Sequence, residues 1–225
     1  MCGRFTLTTP ASQIGQMFLD LQVPEYVPRY NIAPTQDVWC VRENKEGDQE
    51  MVALRWGLVP VWAKDLKMGA RMINARGETV AEKPSFRSAF KKRRCLVLAD
   101  GFYEWKKEAD GKQPYYITRA DNEPFCMAGL WENWKDKNDP EAKWIQSCTV
   151  ITTEANEIMT PLHHRMPVIF DSEQYATWLD TSFEDREALE ATLVPYPSEE
   201  LKVTPVSKFV NKATNESPEC VVPLN

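Results

Sequence analysis

Apolar residues in this chain fall mostly into short runs bounded by turn residues, the pattern of many brief strands with a few helices set apart. Residues 4–7 read as a short strand. Thr9-Pro10 then reads as a helix cap with proline at the first helical position, and Ile14, Met17, Phe18 and Leu21 follow on one face until Pro24 stops the helix. Residues 29–36 read as a turn-rich connection, 38–42 and 51–56 as strands, and 56–79 as an irregular stretch. A short helix over 86–90 leads to a buried strand at 95–99. Asp110-Gly111 lies between two alternating segments and predicts a hairpin pairing 102–107 with 114–118. Strands at 125–131 and 144–152 flank an acidic loop, and Thr153 or Glu154 opens a short helix that Pro161 ends. Residues 168–170 read as a strand, Ser172 as the cap of a helix bearing Tyr175, Trp178 and Leu179, 183–193 as another helix, and 201–207 as a last strand. The tail from Asn211 reads as polar and irregular. With no repeat and no clear linker, the expectation is one α+β domain over residues 1–225, with a curved, mainly antiparallel, barrel-like sheet flanked by a few helices.

Composition narrows the class. The 225 residues leave room for a sizeable core, and 43% hydrophobic with 27% charged residues is the balance of an ordinary soluble protein. No apolar run approaches a membrane span and the N-terminus lacks a secretory pattern, so a cytoplasmic location is expected. Cys2, Cys40, Cys95, Cys126, Cys148 and Cys220 show no metal-ligand spacing, and a reducing compartment keeps them as thiols; neither a disulfide nor a metal is expected. A net charge of −6 argues against coating nucleic acid by bulk electrostatics. Arg71, Arg76, Arg87 and the run Lys91-Lys92-Arg93-Arg94 still permit a local basic groove, although such a run reads equally well as a solvated face.

Candidate chemistry starts at Met1-Cys2-Gly3. Methionine aminopeptidases act before small residues, so Cys2 is expected to be the mature N-terminus and to carry a 1,2-aminothiol. Its amine, with a pKa of ~7.7–8.0, is partly free base at neutral pH, and its thiol is a second nucleophile. Together they can capture an aldehyde as a Schiff base closed into a thiazolidine; a cysteine at position 2 is also often incidental. The proton transfers call for an acid. Glu104, between Tyr103 and Trp105, is desolvated and raised in pKa if it faces inward, and an ordinary surface acid if it faces outward. His163 and His164 are the two histidines; in an extended segment they point opposite ways, so at most one faces a site. Asn74 and Arg76, two apart, share one side of an extended segment and could grip a sugar and a phosphate together. Trp56 and Trp62 read either as a ligand wall or as core.

Jointly these pieces are specific. Met1-Cys2-Gly3-Arg4-Phe5, Arg29-Tyr30-Asn31-Ile32-Ala33-Pro34, Trp56-Gly57-Leu58-Val59-Pro60, Ile73-Asn74-Ala75-Arg76-Gly77-Glu78-Thr79, Asp100-Gly101-Phe102-Tyr103-Glu104-Trp105 and His163-His164-Arg165-Met166-Pro167 occur in the order seen in SRAP proteins, the SOS-response-associated peptidases understood as abasic-site processing proteins. The chain resembles that family from residue 1 to about 211. The resemblance implies an abasic-site sensor that binds single-stranded DNA and crosslinks to the lesion aldehyde through Cys2, shielding it from strand cleavage. It implies catalytic roles for Cys2, Glu104, His163 and Asn74, and DNA contacts from Arg4, Arg76, Trp62, Thr152 and Arg165. It implies no cofactor and no metal; the partner is single-stranded DNA with abasic sites, met as a monomer at the nucleoid after damage. AP-lyase-like Schiff-base chemistry and a peptidase activity belong to the same expectation. Two other readings use the same residues. One is an N-terminal-nucleophile cysteine peptidase or amidohydrolase acting in autoproteolysis, and the other a non-covalent binder of single strands.

Overall fold

Alternating β-branched and aromatic residues build thirteen strands among the described residues. The computed structural model describes residues 2–18, 21–109 and 111–224. In order, the first half holds β1 (Phe5–Leu7), α1 (Ala11–Gln16), β2 (Arg29–Ile32), β3 (Asp37–Glu43), β4 (Gln49–Trp56), β5 (Asn74–Arg76), α2 (Arg87–Lys92), β6 (Arg94–Ala99) and β7 (Gly101–Glu108). The second half holds β8 (Gly111–Arg119), β9 (Phe125–Trp134), β10 (Ile145–Glu154), β11 (Arg165–Pro167), β12 (Ile169–Phe170), α3 (Ser172–Leu179), α4 (Arg186–Ala191) and β13 (Leu201–Pro205).

Two sheets result. In the larger one β10, β4, β3, β6 and β9 pair in sequence and β9 pairs again with β10, so five strands close into a small barrel. Only β10 with β4 is parallel within that ring; β5 adds a further parallel pairing on β10 beyond the end of β4. The smaller sheet runs β13-β8-β7-β1-β2, with every neighbour antiparallel. The barrel interior is marked by Cys40 and Cys148, whose sulfurs lie 4.0 Å apart across it. Between the sheets Phe5 meets Trp56 edge-on at 4.9 Å and Phe102 meets Phe125 at 6.5 Å. Asp100, at the β6–β7 corner, ties the N-terminal strand down. Its carboxylate accepts from the hydroxyls of Thr6, Thr8 and Thr9 and from the backbone N–H groups of Thr8 and Thr9.

The α+β reading with a barrel-like sheet is what the chain builds, and the 102–107/114–118 hairpin forms, with Trp105 opposite Pro114. Its turn residue Asp110 lies outside the described residues. Several local expectations are overturned. Residues 29–32 form β2, because β1 supplies a partner that a local reading does not see. The first helix ends at Gln16 and is capped at Pro10 without a side-chain bond; Thr9 spends its hydroxyl on Asp100 instead. The short helix expected between Glu154 and Pro161 is a run of turns. Asn156 accepts from Met159 N–H and its carbonyl takes Thr160, a local side-chain competitor for helical bonds. Asp171, not Ser172, caps α3, with Gln174 completing a capping box. The tail is not loose: the Asn31 carboxamide donates to the carbonyls of Val210, Lys212 and Asn215. Among the described residues no helix is long and apolar enough to cross a membrane, and no group of three or more His, Cys, Asp or Glu is placed to hold a metal ion.

Candidate active site

The pairing of β1 with β7 decides the site. Phe5 lies opposite Phe102, and Tyr103 N–H donates to Arg4 C=O at 2.9 Å, so the chain's first residues run alongside Glu104. Alternation along β7 then sorts its side chains: Tyr103 and Trp105 join Tyr116 on one face, while Glu104 shares the face of Phe102, toward the main core. Glu104 is therefore inward and only 4% exposed. Burial raises its pKa, and the Trp105 N–H pulls the other way.

Cys2 is fully buried. Burial first and the Glu104 charge second push its thiol up to about 12, against the opposing pull of the N-terminal charge and an Arg4 backbone bond. Its carbonyl accepts from Asn74 Nδ2 at 2.8 Å, and Asn74 Oδ1 is buried without a hydrogen bond to any described residue. Asn74 reaches this position because β5 pairs with β10, Asn74 opposite Val150 and Arg76 opposite Thr152. His163 enters from the loop before β11. Its Nδ1 accepts from Arg165 N–H at 2.9 Å, so the neutral ring carries its proton on Nε2. Burial, then the N-terminal charge, then His164 pull its pKa down to about 4. The Glu104 charge acts on the Cys2 thiol, which places those two groups together. The expectation that the two histidines point apart fails. Their rings stack at 4.3 Å, because the chain bends there rather than running extended.

The residues assigned to DNA divide into two sets. Arg76 is exposed and its side chain makes no hydrogen bond to another described residue, and Trp62 is 49% exposed. Arg4, Thr152 and Arg165 are engaged within the protein. Arg4 donates to Asn31 Oδ1 at 2.6 Å and to Val210 C=O at 3.1 Å, and lies over the Trp105 ring. Arg165 donates to both Glu78 oxygens and to the Thr152 carbonyl, and holds Glu78 below the ordinary carboxylate range. Trp56 is core, its Nε1 bound to Ile73 C=O. The basic run is not a free groove either. Arg94 is fully buried and donates to the carbonyls of Phe90, Lys91, Trp178, Asp180 and Phe183, Arg93 pairs with Glu132, and Lys91 and Lys92 pair with Glu184. Sequence reasoning missed Glu78 as the brace of Arg165; its signal was being the sole acid in the Asn74–Thr79 motif.

A strand-pinned Cys2 beside a buried carboxyl, set against a five-stranded barrel, defines a class that sequence comparison names. Residues 1–213 match the family model for SOS response associated peptidase (SRAP), and the chain belongs to that family. Among its relatives, the abasic site processing protein YoqW of Bacillus subtilis (strain 168) is 43% identical over 98% of this chain and 99% of its own length. The abasic site processing protein HMCES of Gallus gallus is 33% identical over 100% of this chain and 78% of its own. A crystal structure of a Bacteroides thetaiotaomicron protein superposes with a TM-score of 0.82 at 26% identity, covering 100% of both chains.

Proposed function

We propose that this chain processes abasic sites in single-stranded DNA by covalent capture. Once Met1, which lies outside the described residues, is removed, the Cys2 amine condenses with the C1′ aldehyde and expels water. The Cys2 thiol then adds across the imine carbon, its proton passes to nitrogen, and a thiazolidine closes. Loss of the iminium removes the electron sink for β-elimination, so the strand is shielded from cleavage.

The observation that carries this reading is the grip of Asn74 on the carbonyl of a fully buried Cys2 beside buried Glu104. Such a residue is held at a fixed point where only a reactant brought into the site meets it. The raised thiol pKa supports an order of amine first and thiol second, with Glu104 taking up and returning protons. His163 Nε2–H donates to the departing sugar oxygen, and the free Oδ1 of Asn74 accepts from the new amine or a sugar hydroxyl. Arg76 and Trp62, both outward, meet the phosphate backbone and a base. Arg4, Thr152 and Arg165 act from behind, fixing the strand ends that carry these groups. An acyl-transfer role for Cys2 is less well supported, because burial and Glu104 keep its thiol protonated where a peptidase needs a thiolate.

A denaturing gel of the purified protein with single-stranded DNA carrying one abasic site tests the reading. A heat-stable shifted band with abasic DNA, absent with intact DNA and with Cys2→Ala, is expected. No band from protein whose mass proves Met1 absent refutes it.

A further inference from the structure

Across β3, β4, β9 and β10 the residues that face the barrel interior can be followed to the end remote from Cys2. Cys40 and Cys148 face each other inside, so alternation puts Arg42 and Gln146 on the same interior side, and pairing adds Glu50, Trp131 and Asn133. This end opens into a cavity of about 680 Å³, roughly 20 Å along β10 from Thr152. Its floor is an aromatic and amide arrangement that barrel closure does not require. The Arg42 guanidinium lies 4.1 Å over the Trp131 ring. Glu50 takes Arg42 Nε at 2.7 Å, but Nη1 is buried with no hydrogen bond to a described residue, and Arg42 as a whole is 9% exposed. Gln146 Nε2 donates to Asn133 Oδ1 at 3.1 Å, and no other described residue bonds the Asn133 amide N–H groups or the Gln146 side-chain carbonyl. Trp144 stands at the rim, 64% exposed.

We propose that this barrel mouth binds a nucleobase, presented either by a free nucleotide or by a nucleotide of a single strand. A base is flat enough to stack on the exposed Trp144 indole, and it brings the acceptors that Arg42 Nη1 and Asn133 lack and the donor that the Gln146 carbonyl lacks. Guanine fits that set best, with O6 and N7 as acceptors and an N–H edge as donor. Lys45, on the loop at the same rim, supplies a cation for the phosphate. The site does not rest on Cys2 chemistry: nucleotide binding at the mouth stands or falls whichever way the crosslinking gel runs.

The test reads the eight indole N–H resonances in a ¹⁵N-correlation spectrum of Cys2→Ala protein titrated with dGMP. The Trp131 and Trp144 resonances, assigned with Trp→Phe variants, are expected to move together and saturate, and 2-deoxyribose 5-phosphate is expected to leave them in place. Trp144→Ala, a change at an exposed position, should weaken dGMP binding read at Trp131 by ~10-fold or more, the size that base–aromatic stacking carries. Gln146→Ala should shift the preference away from guanine. An intact guanine-containing octamer distinguishes the sources. Tighter binding than dGMP at the same resonances assigns the mouth to a DNA strand, and weaker binding assigns it to free nucleotides. No movement with millimolar dGMP, equal movement with the sugar phosphate, or full affinity in Trp144→Ala overturns the proposal.

Discussion

Replacing Asp100 by alanine removes the acceptor on which the N-terminal strand hangs. Five donors converge on its carboxylate, and two of them, the N–H groups of Thr8 and Thr9, are backbone groups with no rotamer to seek another partner. Leaving a buried backbone donor unsatisfied costs about 1–3 kcal/mol, so the pair sets a loss of about 2–6 kcal/mol, with the hydroxyls free to turn elsewhere. For a chain of this size that is a fall in Tm of roughly 5–20 °C. Asparagine should be much milder. Oδ2 takes four of the five bonds, so an asparagine with its carbonyl there keeps them, and its amide can donate to the Thr6 hydroxyl. Urea melts followed by tryptophan fluorescence measure the difference, and crosslinking at low temperature, with both variants folded, reads the placement of Cys2. A loss below ~1 kcal/mol in Asp100→Ala, or equal losses in the two variants, would refute the reasoning.

The other predictions follow from the ionisable groups. Glu104→Gln should slow covalent capture by ~10²-fold or more, the usual yield of a positioned proton carrier. Because burial raises the Glu104 pKa, the folded state holds a proton the unfolded state has released. Wild-type stability therefore falls as pH rises from the ordinary carboxylate range through that raised value, and Glu104→Gln should flatten the fall in melts taken across pH. His163 has the opposite sign. With its pKa lowered to about 4 it stays neutral while the unfolded chain protonates near ~6.5, so stability should drop as pH falls between those values; an NMR titration placing the imidazole above 6 would contradict this. Glu78→Gln should cost at most ~1 kcal/mol, since that carboxylate is half exposed, yet slow crosslinking by loosening Arg165 and with it the His163 tautomer. Unchanged capture kinetics would show that the brace does not reach the imidazole.

Much of this protein was legible in the sequence because much of it is local. Period-two alternation on either side of a short connection makes the β7–β8 hairpin legible, since its two strands are neighbours in the chain. The motifs around Cys2, Asn74, Glu104 and His163 were likewise readable as residues that suit aldehyde capture. Tertiary structure decided what those residues do with one another. β2 and β5 are strands only because β1 and β10 offer edges distant in sequence, and the barrel exists only because β9 returns to β10. Glu104 could have faced either way until the two sheets packed; the face it shares with Phe102 became the buried one. The basic run at 91–94 looked available for phosphate, but helix ends, carbonyls and Glu184 consume it. Local sequence determines which backbone shapes and chemistries are on offer. Burial and long-range pairing, which no short window contains, determine which of them face each other.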